Sequence, residues 1–241
     1  MILNIGPYGK SREKSPPRFT VSGGTYSYAQ SVAPDGIVNW ELALLSGTNA
    51  TITFQRVVDY VDVFLVAGGE SGKDPTGYDT QAGFPGKGGG CVTVNGVPVS
   101  FQTAYAFSVG GSDANTSIFN QIALTGAGAQ GGRPSDYNTG RRAEAGGDGV
   151  YAFGAANSLI FSGRKYGAGG GGGGTVSGGN TFWGGDGGAS GGGHGGDPHN
   201  QTKAETNGAV NTGGGGGGGA YNTLGPYGDG GSGIIIIRNH R

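Results

Sequence analysis

Asp186, His194, Asp197 and His199 fall within fourteen residues of one another. Carboxylates and imidazoles are the donor set of a divalent transition metal. Their spacing fits no established ligand pattern, and His194-Gly-Gly-Asp-Pro-His199 reads as an exposed loop, so no metal is expected. Gly126-Ala-Gly-Ala-Gln-Gly131 follows a strand and matches the dinucleotide fingerprint, which needs a helix after it. No helix is predicted there, and glycine makes up about a third of the region, so chance accounts for the match. Gly86-Lys87 is followed by Gly88 where a phosphate loop needs Ser or Thr, and Gln81 stands where its first glycine belongs. His240 lies in the tail and the other two histidines share one glycine-rich loop, so no Ser–His–Asp or Cys–His arrangement emerges. Cys91, the only cysteine, reads as a small apolar strand residue. The chain is expected to be non-catalytic and to carry no cofactor.

The elements that position these residues divide by composition. Of 59 glycines, 18 fall in residues 1–120 and 41 in residues 121–241, including the unbroken runs 169–174 and 213–219. Glycine loses the most backbone entropy on ordering, so such a region usually stays unfolded. Here it runs directly into Ile234-Ile-Ile-Ile237, a strand that must be buried. The glycine region is therefore read as folded within a domain. Fifteen Lys and Arg against sixteen Asp and Glu give a net charge of −1, which argues against nucleic acid as a partner. Nothing approaches 18 successive apolar residues, so no membrane insertion is expected. Met1-Ile-Leu-Asn-Ile5 is too short and too polar-flanked for a secretory leader, and the sequons at Asn49, Asn115 and Asn200 are read as chance.

Residues 1–18 read as an apolar arm (Ile2, Leu3, Ile5) on a polar linker stiffened by Pro16-Pro17. Residues 19–124 read as a β-sandwich or jelly roll. Its predicted strands are Thr25–Val32, Ile37–Leu45, Ala50–Val57, Tyr60–Ala67, Cys91–Asn95, Val97–Phe101, Ala104–Val109 and Ser117–Leu124. Pro34-Asp-Gly36 and Ser46-Gly-Thr-Asn49 read as turns between them. In Tyr60–Ala67, Val61, Val63 and Leu65 share one face while Phe64 and Val66 share the other with Asp62, so both faces are expected to be buried. Residues 125–233 form the glycine region, and 234–241 the closing strand.

Within the glycine region, segments 126–132, 167–174, 184–196 and 213–219 alternate with excursions 133–145, 175–183, 197–212 and 220–227. Left-handed helices of three residues per turn let such segments pack without side chains, each backbone group pairing with a neighbouring rod. The excursions display Tyr137, Asn138, Arg141, Phe182, Trp183, His199 and Tyr221, with His194 in the glycine segment beside them. Aromatic, amide and charged side chains on loops held by a scaffold are the composition of a recognition surface.

Three stretches carry a family resemblance: Thr51-Ile-Thr-Phe-Gln55 with Val61-Asp-Val-Phe-Leu-Val-Ala-Gly-Gly69, Gly86-Lys-Gly-Gly-Gly-Cys-Val-Thr-Val94, and Gly230-Gly-Ser-Gly-Ile-Ile-Ile-Ile-Arg238. Together with Tyr105-Ala-Phe-Ser-Val-Gly-Gly111 and Asn115-Thr-Ser-Ile-Phe119, they resemble the glycine-rich domain of phage and prophage tail proteins over about residues 50–238. The run at Ala67-Gly-Gly-Glu70 is shorter than in that family. The resemblance implies a β-sandwich bearing a polyglycine II helix bundle, as in the host-recognising tip adhesins of some tailed phages. It implies a virion protein made in the host cytoplasm, attached to other tail or fibre proteins through Ile2, Leu3 and Ile5. The loop residues above would then meet a bacterial surface receptor, glycan or protein. A purely structural tail, baseplate or head component is the other reading, and ice binding a third. Tail fibres are commonly homotrimers, whereas tip adhesins also occur as monomers.

Overall fold

Strand periodicity organises the first half of the chain and residues 234–239. The computed structural model describes residues 17–34, 36–56, 58–74, 82–136, 141–154, 161, 163–177, 180–198, 205–221 and 227–239. Strands β1 (Phe19–Val32), β2 (Val38–Phe54), β3 (Tyr60–Val66), β4 (Cys91–Pro98), β5 (Ala104–Ser108), β6 (Thr116–Ile118) and β7 (Gln121–Ala123) join the last strand, β12 (Ile234–Asn239), in one antiparallel sheet. Its order is β4-β3-β12-β2-β5-β6-β7, with β1 on β2. The terminal strands of that path, β4 and β7, approach each other, so the sheet is nearly closed. Among the described residues the only helical element is a single 3-10 turn, Ala152–Gly154.

The closing strand is central. Ile234–Asn239 pairs with Val66–Val61 on one side, and Ile235–Arg238 pairs with Leu44–Glu41 on the other. Ile235 and Ile237 point into a core with Trp40, Leu42, Leu44, Ile52, Phe54, Val61, Val63, Leu65, Phe107 and Ile118. Ile234 and Ile236 point outward with Ala43, Phe64 and Val66. Tyr166 and Ala152 cover that outer face, brought there by the hairpin of β8 (Val150–Tyr151) and β9 (Lys165–Tyr166). A strand apolar on both faces needs both covers, which is why four isoleucines run in succession.

The expected strands Ile37–Leu45 and Ala50–Val57 are one strand, β2. β1 follows it from Phe54 back to Val38, while its other edge meets β12 at residues 41–44 and β5 at residues 50–53. Ser46-Gly-Thr-Asn49 is a bend inside the strand and no chain reversal. Gly47 (φ 147) and Asn49 (φ 52) fold it, and β1 follows through Gly23 (φ 77) with register shifts on either side of Gly24 and Thr25. Bulges of this kind sharpen strand curvature and carry β2 from one wing of the sheet to the other. Likewise Cys91–Asn95 and Val97–Phe101 join in β4 across Gly96 (φ 66), whose N–H donates to the Asp62 carboxylate at 3.0 Å. Ser117–Leu124 instead splits into β6 and β7, because Phe119 (φ 50) and Asn120 (φ 60) form a left-handed turn.

The glycine segments form a layer on the sheet, bonded segment to segment. The bonding repeats every three residues. Ala129, Gly132 and Ser135 donate N–H bonds to Gly167, Gly170 and Gly173. The N–H groups of Gly169, Gly170 and Gly171 go to Gly147, Gly86 and Gly193 on three different segments; those of Gly172, Gly173 and Gly174 then go to Glu144, Gly83 and Gly196 on the same three. The two unbroken glycine runs occupy the middle. Segment 167–174 is bonded to 82–90, 126–136, 141–149, 184–188, 192–197 and 213–221. Segment 213–219 is bonded to 67–73, 82–90, 167–174, 192–197, 205–209 and 227–233. A side chain has no room in such a site: a Cβ on Gly217 would land on the carbonyl oxygen of His194, and one on Gly170 on that of Gly216. The layer also draws in Gly68–Gly72 and Gly83–Gly90, from the half of the chain that reads as strands.

Candidate functional site

The layer has two ends. At one, it grows out of the sheet: Ala67 donates to Gly90, Gly90 to Leu124 and Gly233 to Gly110. At the other, Gly219 donates to Lys73, Ser135 to Gly173, Gly174 to Gly196 and Tyr221 to Gly174. Lys73, Ser135, Gly174, Gly196 and Gly219 therefore stand level, and the chain leaves the layer there five times. It departs between Asp74 and Ala82, between Asp136 and Arg141, through the hairpin of β10 (Thr175–Ser177) and β11 (Asn180–Phe182), after Pro198, and after Tyr221.

Four of these departures coincide with the predicted excursions. The one between Asp74 and Ala82 was missed, since it lies outside the glycine-dense half. Its signal is the same as in the others: a polar stretch, here Pro75-Thr-Gly-Tyr-Asp-Thr-Gln81, set between Gly72 and Gly83.

Among the candidate recognition residues that are described, Trp183 is the most open, 52% exposed at the foot of the β11 hairpin arm. Phe182 beside it and Tyr221 are half-buried. Asp197 is buried and accepts the Gly184 N–H at 2.7 Å, tying the residue after Trp183 to the outgoing 192–198 segment. This supporting carboxylate is one that sequence reading assigned only to a weak metal set. Arg141 closes a bridge with Asp136, and its Nε and Nη2 donate to the Pro134 carbonyl at 3.3 and 3.2 Å. Its guanidinium is thus turned back on the layer. His194 lies away from the loop end, within the 192–197 segment, with Nδ1 3.3 Å from the Asp186 carboxylate and accepting the Gly187 N–H at 3.2 Å. Tyr137, Asn138, His199, Ile2, Leu3 and Ile5 lie outside the described residues. Among the described residues, no group of three or more His, Cys, Asp or Glu side chains is placed to hold a metal ion.

A nearly closed antiparallel sheet carrying a hydrogen-bonded glycine layer defines the class of protein. The chain belongs to the glycine-rich domain family, which it matches over residues 44–240, from the middle of β2 to the end of β12. None of the curated proteins matches it in sequence.

Proposed function

We propose that the protein is a non-catalytic component of a phage virion, at the tail tip or on a tail fibre, and that it binds the bacterial host surface through the loop end of the glycine layer. The observation that carries this reading is the convergence of five chain departures at the end of the layer opposite the sheet. A scaffold saturated in backbone bonds, with variable side chains confined to one end, is how binding loops are held rigid. Trp183 and Tyr221, together with Tyr137, Asn138 and His199 outside the described residues, are the aromatic and polar groups that recognise a glycan or a protein receptor in this reading. The sheet, jelly-roll-like in this reading, faces the other tail or fibre proteins together with the N-terminal arm.

The layer is read as a bundle of polyglycine II helices. The three-residue bonding period supports this, as do the negative φ angles through Gly169–Gly174. Purified protein is expected to bind host cells and to compete with phage adsorption. Absence of both, together with burial among other virion proteins in particle images, would establish the purely structural role instead.

A further inference from the structure

Three parts of the chain meet around a cavity of about 820 Å³ on the outer face of the sheet. Ser27 of β1, Leu45 of β2 and Ile234 of β12 form its sheet wall. Tyr151, Phe161 and Arg164, carried by the β8–β9 hairpin, form a second. Two turns of the glycine layer form the third, at Ser190 (φ 74) and Asn211 (φ 57), both in left-handed backbone. The second turn ends at Thr212, whose carbonyl accepts the Gly167 N–H, so it stands where both unbroken glycine segments begin. That is the sheet end of the layer, away from the departing loops. The volume falls within the range of small-molecule sites, roughly 300–1,000 Å³.

The lining is apolar in its body and of one sign in its charge. Val210 is 74% exposed and Tyr151 38%, apolar surface left open beside Leu45, Phe161 and Ile234. Lys165 is committed to the Asp148 carboxylate at 2.9 Å. Arg164 is exposed, and among the described residues its guanidinium has no hydrogen-bond or ion-pair partner. No Asp or Glu stands among the described residues that line the cavity. Thr212 Oγ1 is already used, donating to Ala209 and accepting the Gly214 N–H. Asn211 Oδ1 accepts the Ser232 hydroxyl at 3.3 Å, which leaves the Asn211 amide N–H groups uncommitted among the described residues. The unused groups are therefore donors, a cation and an amide, set against an open ring and aliphatic carbon. A matching ligand carries a carboxylate, further acceptor oxygens and an apolar ring face. We propose that this cavity binds an acidic sugar, its carboxylate on Arg164, a ring oxygen on Asn211 and its C–H face against Tyr151. A planar guanidinium takes a carboxylate through two parallel bonds, which fixes the orientation of the sugar as well as its charge. The inference is independent of receptor binding at the loop end, which uses the opposite end of the layer.

NMR titration of the isotope-labelled, full-length chain tests it, with the methyl glycosides of glucuronic, galacturonic and N-acetylneuraminic acids as probes. At least one of the three is expected to shift the amides of Ser190, Gly191, Asn211 and Thr212 to saturation. The Gly218 amide, deep in the layer, should stay in place and reports that each protein is folded. The neutral counterpart of the sugar that binds should bind at least about fivefold more weakly. Arg164→Gln, a change at an exposed position, should erase that difference, and Tyr151→Ala should weaken acidic and neutral sugar alike. Absence of saturable shifts at these four amides with all three probes overturns the proposal. So does binding that is indifferent to the carboxylate or to Arg164→Gln. Benzoate binding as tightly as the sugar overturns it too, since the cavity would then take ring carboxylates at large. Shifts confined to the amides around Trp183 would place the sugar at the loop end and overturn this site while supporting the other.

Discussion

The N–H of Gly218 donates to the carbonyl of Gly171 at 3.0 Å and joins the two unbroken glycine runs of the chain. Three residues earlier in each run, Gly215 donates to Ala168 at 2.8 Å. The runs are neighbours, and each has bonded segments on six sides. Elsewhere in the layer glycine alternates with Ala, Asp, Glu or His, whose side chains leave at the margins. Glycine is unbroken only where every direction already holds another backbone. Its entropic cost on ordering is offset by bonds that no larger residue could make at that spacing.

Substitution at the middle of the layer should therefore be far worse than at its margin. In Gly217→Ala the new methyl meets the backbone of His194, which cannot move without breaking its bond from Thr206. The expected loss is about 3 kcal/mol, lowering Tm by roughly 6–12 °C in a chain of this size. Gly111 has nothing within 4 Å of the same position and a φ outside the left-handed region. Gly111→Ala should leave Tm unchanged in thermal unfolding followed by circular dichroism.

The sequence announced this layer through its runs but not its membership. Gly169–Gly174 and Gly213–Gly219 are legible because nothing but close backbone packing needs them. The segments at 67–73 and 82–90 are short, carry Lys and Glu, and abut strands, so local composition hides them. Their place is set by bonds to residues far away in the chain, such as Gly86 to Gly216. The strand Ile234–Ile237 was legible from apolarity on both faces. The bend at Ser46–Asn49 was not, because a turn and a bulged corner use the same residues and differ only in which strand pairs next. At the loop end, type and position singled out Trp183, which is 52% exposed, and Arg141, whose guanidinium donates to the Pro134 carbonyl two residues before its bridge partner Asp136, a contact that composition does not signal.

The buried pair of Asp62 and Arg238 gives a second test. Arg238 Nε lies 3.4 Å from the Asp62 carboxylate, with side chains 11% and 2% exposed, and the guanidinium carbon sits 3.7 Å from the centre of the Phe153 ring. Arg238→Ala removes the cation from a carboxylate that has left water, at an expected cost of about 3–5 kcal/mol. Urea denaturation measures it. Arg238→Lys should recover only part, since an ammonium cannot stack flat on Phe153 while reaching Asp62.

Alkali should loosen the outer face of the sheet. Burial pushes the Cys91 thiol from its ordinary 9.0 up to about 12, and burial likewise lifts Tyr166 from 10.0 to about 12. The folded state holds both protons where the unfolded chain has released them, so stability is complete below pH 9 and falls as pH rises toward 12. The slope should be about 1.4 kcal/mol per pH unit from one group above pH 9, and steeper above pH 10 as Tyr166 joins. Cys91→Ala should flatten the first part of that profile, read as urea midpoint against pH. In the native protein at pH 8, Cys91 should resist alkylation that proceeds readily once the chain is unfolded.

The binding role of the loop end can be separated from its construction by two side chains that lie a residue apart in effect. Trp183 is half-exposed, and among the described residues it has no ring or hydrogen-bond partner. Trp183→Ala should therefore leave Tm within about 1 °C, as surface changes do. If the ring is an anchor for the receptor, the same change should weaken binding to host cells at least about tenfold. Asp197 is buried, and its bond to the Gly184 N–H holds the backbone just after Trp183 in place. Asp197→Ala leaves that amide without its partner and should lower both Tm and binding, while Asp197→Asn, which keeps an acceptor, should restore most of each. Binding isotherms on host cells, read beside thermal unfolding, distinguish the cases. Binding that is unchanged in Trp183→Ala would remove this hairpin from the recognition surface and leave the other four departures from the layer to carry it.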